Sequence, residues 1–204
     1  MRAIIILAGG RSSRFGTDKS LLDFAGKPLI TQAVHRLQGL GDEYIVSIGK
    51  NQIEDNYRRI LPTNTSIVQD KVDFQGPLAG FITALEKCKS NTCFLTACDM
   101  PTIEPKVVEF LFQKIDNSSG AVPKWRDGRI EPLHAVYDSN TATRAARQVA
   151  GEKIPSMISM IDRMLGAKFV SIEDEVSPLN PMLNTFRNLN TPRDLRELEK
   201  NYLG

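Results

Sequence analysis

The sequence predicts an α/β fold of three layers, in which a mainly parallel sheet carries helices on both faces and a β-hairpin excursion follows in the second half. Three observations lead there. Short runs rich in β-branched residues alternate with segments of helical spacing, and strand then helix repeats four times before residue 120. The first run, Ala3 to Leu7, is apolar throughout, as suits a strand buried on both faces. A chain of 204 residues is long enough to bury a full core as one domain and short for two. Together these describe a Rossmann-like sheet.

Taken in order, the strand runs are "AIIIL" (3–7), "YIVSIG" (44–49), "SIVQ" (66–69), "TCFLTA" (92–97), "GAVP" (120–123) and "LHAVY" (133–137). Between them, "LITQAVHRLQGL" sets Ile30, Val34 and Leu37 on one helical face, and "PLAGFITALEKC" does the same with Leu78, Ile82 and Leu85. In "PKVVEFLFQKI", Val107, Leu111 and Lys114 share a face with Val108 and Ile115 beside them. The alternation loosens after residue 120, where "VPKWRDGRIEPLHAVY" reads as two strands joined through Asp127-Gly128, a dipeptide suited to a tight hairpin. Helical segments follow near 139–150 and 153–165. The chain ends in "TPRDLRELEKNYL", with Thr191 placed to cap, Pro192 at the first helical position and Asp194 at the third. No internal repeat or low-complexity linker interrupts it.

Composition narrows the classes of function. Charged residues make up 25% and apolar ones 41%, the mix of a folded soluble protein. With 26 basic against 24 acidic residues the net charge is +2, so no general field favours a nucleic acid or a membrane surface, and any anion must be bound locally. No run approaches the roughly 18 apolar residues of a spanning helix, and the start lacks the apolar region of a secretion signal, which points to the cytoplasm. Cys88, Cys93 and Cys98 stand five apart, which matches no metal or redox spacing. They read as buried thiols, with Cys93 and Cys98 on opposite faces of a strand.

In a parallel sheet, ligands bind beyond the carboxyl ends of the strands, and three of the loops found there are unusual. In "LAGGRSSRFGTDK", Gly9 and Gly10 let backbone N–H groups approach an anion, while Arg11, Arg14 and Lys19 supply positive charge. The spacing excludes both G-x-x-x-x-G-K-[ST] and G-x-G-x-x-G. In "QDKVDFQGPLAG", Asp70 follows a strand, where it caps a turn or bonds a nucleoside. In "FLTACDMP" a strand delivers Asp99 and then a proline that ends it. One carboxylate at that place suits Mg2+, which shares its shell with phosphate oxygens. A cationic glycine loop and a metal carboxylate imply nucleotidyl transfer.

The segments "LAGGRSSRFGTDKSLLDFAGKPLI", "QGPLAG", "ACDMP" and "FRNLNTPRDL" together resemble the molybdenum cofactor guanylyltransferase family, the MobA-type enzymes, along nearly the whole chain. The resemblance implies transfer of GMP from GTP to the terminal phosphate of molybdopterin, with release of pyrophosphate and a requirement for magnesium. It also implies that Leu7, Ala8, Gly9 and Gly10 contact the guanine nucleotide, Lys19 and Arg14 its phosphates, Asp70 the nucleoside side and Asp99 the metal. Asn188 and Asn190 match the family's closing motif, where they line the pterin side or fix a turn before the last helix. Where related enzymes carry an asparagine after the second strand, "VSIGKNQ" offers Asn51 only at a displaced position, and Phe15 stands where a methionine is usual. On this basis residues 1–118 form a nucleotide-binding half and 119–204 an acceptor-binding half, the latter the natural place to meet a molybdopterin carrier or target molybdoenzyme.

Three other functions compete. A cytidylyltransferase of the same cofactor shares the phosphate chemistry, a nucleotidyltransferase acting on a sugar phosphate shares the fold, and a non-catalytic carrier of GTP or cofactor shares the binding loop. Neither histidine argues for a general base: His35 lies in an amphipathic helix, and His134 lies on a strand directed toward the crevice. Trp125 stacks on a pterin or, more simply, packs against a loop or marks a contact with a partner.

Overall fold

The apolar run at the start of the chain forms strand β1 (Arg2–Leu7), in which every residue after Arg2 is buried. A computed structural model describes residues 1–9, 18–72 and 74–203, with side chains as far as Glu199. After β1 come a small hairpin, β2 (Asp23–Phe24) and β3 (Lys27–Pro28), then α1 (Leu29–Arg36), β4 (Glu43–Ile48), α2 (Glu54–Arg58), β5 (Thr65–Gln69), α3 (Pro77–Lys87) and β6 (Thr92–Ala97). The second half contains α4 (Pro105–Lys114), β7 (Gly120–Lys124), β8 (His134–Asp138), α5 (Ser139–Val149), α6 (Met157–Arg163), β9 (Ala167–Ser171) and α7 (Pro192–Leu203).

Seven strands form one sheet in the order β5-β4-β1-β6-β8-β7-β9. β1 pairs in parallel with both β4 and β6, and β4 with β5. β8 runs antiparallel to its neighbours β6 and β7, while β7 and β9 are parallel again. The sheet is therefore mainly parallel, as the strand–helix alternation predicts. From β1 the chain steps outward through β4 to β5 and then returns to the other side of β1 as β6. The order reverses between β1 and β6, the place where such sheets open a crevice at their carboxyl ends.

Alternate residues of β1 serve two cores. Ile4 and Ile6 join the cluster that takes Ile30, Val34 and Leu37 beside α1 and Val107, Val108 and Leu111 of α4. Ala3, Ile5 and Leu7 join the opposite cluster, with Leu78, Ile82 and Leu85 of α3 and the buried residues of α5 and α6. Three layers follow from that alternation. Cys93 falls in the second core and Cys98 in the first, on opposite faces as their odd spacing requires, whereas Cys88 is only half-buried. A third, small cluster of Phe24, Leu29, Leu189 and Leu198 docks α7 on the β2–β3 hairpin. The start of α7 is capped reciprocally: Thr191 Oγ1 accepts the Asp194 N–H at 3.2 Å and the Asp194 carboxylate accepts the Thr191 N–H at 2.8 Å.

Some elements depart from the sequence-based expectation. The turn at Asp127-Gly128 forms, with Gly128 at φ +93° and the Trp125 N–H bonded to the Arg129 carbonyl at 2.8 Å. The strands it joins are not a tight hairpin, because β8 starts only at His134, past Pro132, which has no N–H for a ladder. They pair through Gly120–Tyr137 and Ala121–Val136. β9 escapes a search for apolar runs because Lys168 and Phe169 are exposed, and α2 is too short to show a period. The helix expected over 153–165 is confined to Met157–Arg163. Lys114 leaves the face of Val107 and Leu111 and pairs with Glu175. Among the described residues, no helix is long and apolar enough to cross a membrane.

His134 proves to be a core residue rather than one that reaches the crevice. It is fully buried between Phe94 and Phe186, its Nε2 lies 3.1 Å from Thr185 Oγ1, and its Nδ1 has no partner. Burial pushes its imidazole down to about 3. The unfolded chain takes up this proton near the usual value of about 6.5, whereas the folded chain does not, so the stability linked to His134 is full above 6.5 and is lost as pH falls toward 3. Between pH 7 and pH 5 the loss from this one group is roughly 2 kcal/mol. Urea unfolding of a His134→Leu variant should show a correspondingly smaller drop in stability over that interval than the parent; equal drops would mean that His134 is not held neutral.

Candidate active site

Backbone bonds continue past the ends of the strands and draw their loops together. The Ala8 N–H donates to Ser47 at 2.8 Å, the Cys98 N–H to Leu7 at 2.9 Å and the Asp70 N–H to Ile48 at 2.9 Å, so the exits of β1, β4, β5 and β6 form one wall. Above it opens a cleft of about 870 Å³, a size that suits a nucleotide and more. At its base the backbones of Gly9 and Gly49 touch: a Cβ on Gly9 would stand 2.9 Å from the Gly49 nitrogen. That approach, and not an unusual φ, is what demands glycine at position 9.

Charge is concentrated on the cleft floor. Lys19 opens a short 3₁₀ turn (Lys19–Leu21) after the first loop, and its Nζ meets Asp99 Oδ2, from the loop after β6, at 2.6 Å. Both side chains are about four-fifths covered, with exposures of 20% and 23%, so this charge-assisted bond is less screened than a surface pair. Asp18 also faces the cleft, but its carboxylate is engaged by the Ser20 N–H at 3.0 Å, Gln52 Nε2 at 2.8 Å and the Tyr57 hydroxyl at 2.7 Å. Asp70 Oδ1 accepts from Ser47 Oγ at 2.9 Å. Burial raises the Asp70 carboxyl above the ordinary range, against the lowering effects of that hydrogen bond and of the Lys50 charge.

Val72, Phe74, Pro77 and Leu133 give the cleft an apolar side. On another side, the Leu189 N–H donates to the Asp99 carbonyl at 2.8 Å. Leu189 is itself buried in the small third cluster, and this anchor sets Asn188 and Asn190 on the cleft lining.

Nine of the residues expected at the site, Leu7, Ala8, Gly9, Lys19, Asn51, Asp70, Asp99, Asn188 and Asn190, line this cleft. Gly10 and Arg14 lie outside the described residues, as does Arg11. The sequence-based reading missed Asp18, Gln52 and Tyr57. Asp18 and Gln52 adjoin residues it singled out, whereas Tyr57 carries no local signal. Trp125 packs edge-on against Phe186, donates from Nε1 to Glu131 at 2.7 Å, and is not among the residues that line this cleft.

A family model described as a MobA-like NTP transferase domain matches residues 4–164. The chain belongs to the MobA-like NTP transferase family. Relatives extend the likeness to the whole length. A probable molybdenum cofactor guanylyltransferase of Methanosarcina mazei is 31% identical, over 97% of this chain and 89% of its own. Another of that name, from Thermococcus gammatolerans, is 35% identical over 96% of this chain and 97% of its own. The crystal structure of the molybdopterin-guanine dinucleotide biosynthesis protein A of Archaeoglobus fulgidus superposes with a TM-score of 0.80, covering 98% of each chain at 22% identity, which establishes the shared fold.

The contact between Gly9 and Gly49 has a measurable cost in this MobA-like transferase. Gly9→Ala must push the exits of β1 and β4 apart, and overpacking of this kind costs about 1–3 kcal/mol. Denaturant unfolding should show that loss with an unchanged m-value; a variant as stable as the parent would mean that the two backbones do not hold this contact.

Proposed function

We propose that this protein transfers GMP from GTP to the terminal phosphate of the molybdopterin cofactor, forming molybdopterin guanine dinucleotide and pyrophosphate. The observation that carries the reading is the Lys19–Asp99 pair on the floor of the cleft, in a chain of this family. The names of the full-length relatives supply the identity of nucleotide and acceptor.

In this reading the backbone of Leu7, Ala8, Gly9 and Gly10 holds the nucleotide, Asp70 faces the nucleoside and Asn51 stands at the edge of its site. An oxygen of the acceptor's phosphate forms a bond to the α-phosphorus of GTP, and the bond from that phosphorus to the β-phosphate oxygen breaks. The electrons leave with pyrophosphate. Lys19 neutralises the departing charge, assisted by Arg14. Asn188, Asn190 and the apolar side near Leu133 receive the acceptor, which reaches them on a carrier or target molybdoenzyme docked to the second half of the chain.

The donor set suits magnesium. Asp99 offers one carboxylate on the cleft lining, which fits an ion that completes its shell with water and phosphate oxygens. Bound with the nucleotide, Mg2+ supplies positive charge to the α-phosphate and the leaving group. The same carboxylate accepts from the Lys19 ammonium at 2.6 Å.

Incubation with GTP, magnesium and molybdopterin on its carrier should release pyrophosphate; release with CTP and none with GTP would sink the guanine assignment. Asp99→Ala should lower kcat by about 10²–10³-fold, the usual effect of removing one group that stabilises transition-state charge. If Asp99→Ala keeps both GTP affinity and the delivery of cofactor, the protein is a carrier and not a transferase.

A further inference from the structure

The side chain of Gln52 joins four segments of the chain, two through backbone atoms and two through side chains. Its Nε2 faces the Ala8 carbonyl at 3.1 Å, Asp18 Oδ2 at 2.8 Å and the Tyr57 hydroxyl at 2.6 Å. Its Oε1 accepts the Gly49 N–H at 2.5 Å, and its main-chain carbonyl accepts from Gln69 Nε2 at 3.0 Å. Tyr57 comes up from α2 fully buried, donates to Asp18 Oδ2 at 2.7 Å and lies 2.6 Å from Ser20 Oγ. Burial pushes its phenol far above the ordinary range, so the hydroxyl keeps its proton as a donor.

Ala8 and Asp18 are the residues on either side of 9–17. One amide therefore ties both stems of that segment to each other and to the exit of β4. The same bonds determine where the charges go. Asp18 precedes Lys19 in the chain, and an unengaged carboxylate there would compete with Asp99 for the ammonium. Donors from Gln52, Tyr57 and Ser20 occupy Asp18, and Lys19 reaches Asp99.

We propose that Gln52 and Tyr57 are positioning residues for nucleotidyl transfer: they brace the two stems and hold Asp18, so that Lys19 is presented to the phosphates. The proposal rests on the nucleotide site described above. Neither residue touches the reacting atoms in this scheme. Their loss is therefore felt in kcat more than in nucleotide affinity.

Two variants test it through pyrophosphate release with GTP, Mg2+ and carrier-bound molybdopterin. Tyr57→Phe removes a single hydroxyl bonded to a charged group, and kcat should fall about tenfold or more, with KM for GTP changed by much less. Gln52→Glu sets a carboxylate against Asp18. Its kcat should fall further and recover in part as pH is lowered from about 8 to about 6, where a protonated Glu can again donate, while the parent shows no such recovery. If both variants only lower the melting temperature and keep the parent's kcat and pH profile, Gln52 and Tyr57 are structural and the proposal is overturned. If the parent releases pyrophosphate from no nucleotide, the functional reading fails, and the brace fails with it because it has nothing to position.

Discussion

Everything in this molecule depends on β1 being held on both edges by parallel partners and on both faces by apolar side chains. Its backbone groups find partners in β4 and β6, which is the condition for burying a strand so completely. Because the pairing continues through Ala8 and Cys98, the loops that follow inherit the precision of the sheet. A chemically demanding site can then be made of segments far apart in the chain. Lys19 and Asp99 are separated by 80 residues and meet at 2.6 Å only because β1 and β6 are neighbours in register.

That dependence explains which parts of the protein were legible in its amino acids. Ile30, Val34 and Leu37, or Leu78, Ile82 and Leu85, announce a helix because their burial imposes a period, and the strands of the parallel half announce themselves by apolar runs. Gly9, Lys19 and Asp99 were readable because loop chemistry is local: a glycine where backbones touch, or a charge where a strand ends. β9 was not, since an edge strand with Lys168 and Phe169 exposed carries no such pattern. Tyr57 was not, since its meaning lies in bonds to Asp18 and Ser20, 39 and 37 residues away. His134 misled for a related reason, because a strand's sequence does not say at what depth below a cleft its polar side chain will stop.

The site is also a compromise in its charges. Three carboxylates, Asp18, Asp70 and Asp99, line a cleft read here as one for a polyanion, and each has been given a partner: a cluster of donors, a serine hydroxyl and a lysine. Of the bonded partners named here, the Lys19 ammonium is the charge that a phosphate attracts. Asp18 and Asp99 thus carry the same side chain in different company, one among neutral donors and the other against an ammonium.

Leu189 gives the fold a temporal character as well. Its N–H fixes the Asp99 carbonyl, and its side chain lies with Phe24, Leu29 and Leu198 in a cluster shared by the first hairpin and the last helix. A ribosome makes Phe24 long before Leu198, and β9 ends at Ser171, so the sheet has all its strands while this cluster still waits for Leu198. The carboxylate loop is thus secured only after the sheet is complete, and a chain cut short before α7 would keep the strands of its sheet and Leu189 but lose the Leu198 that packs with it.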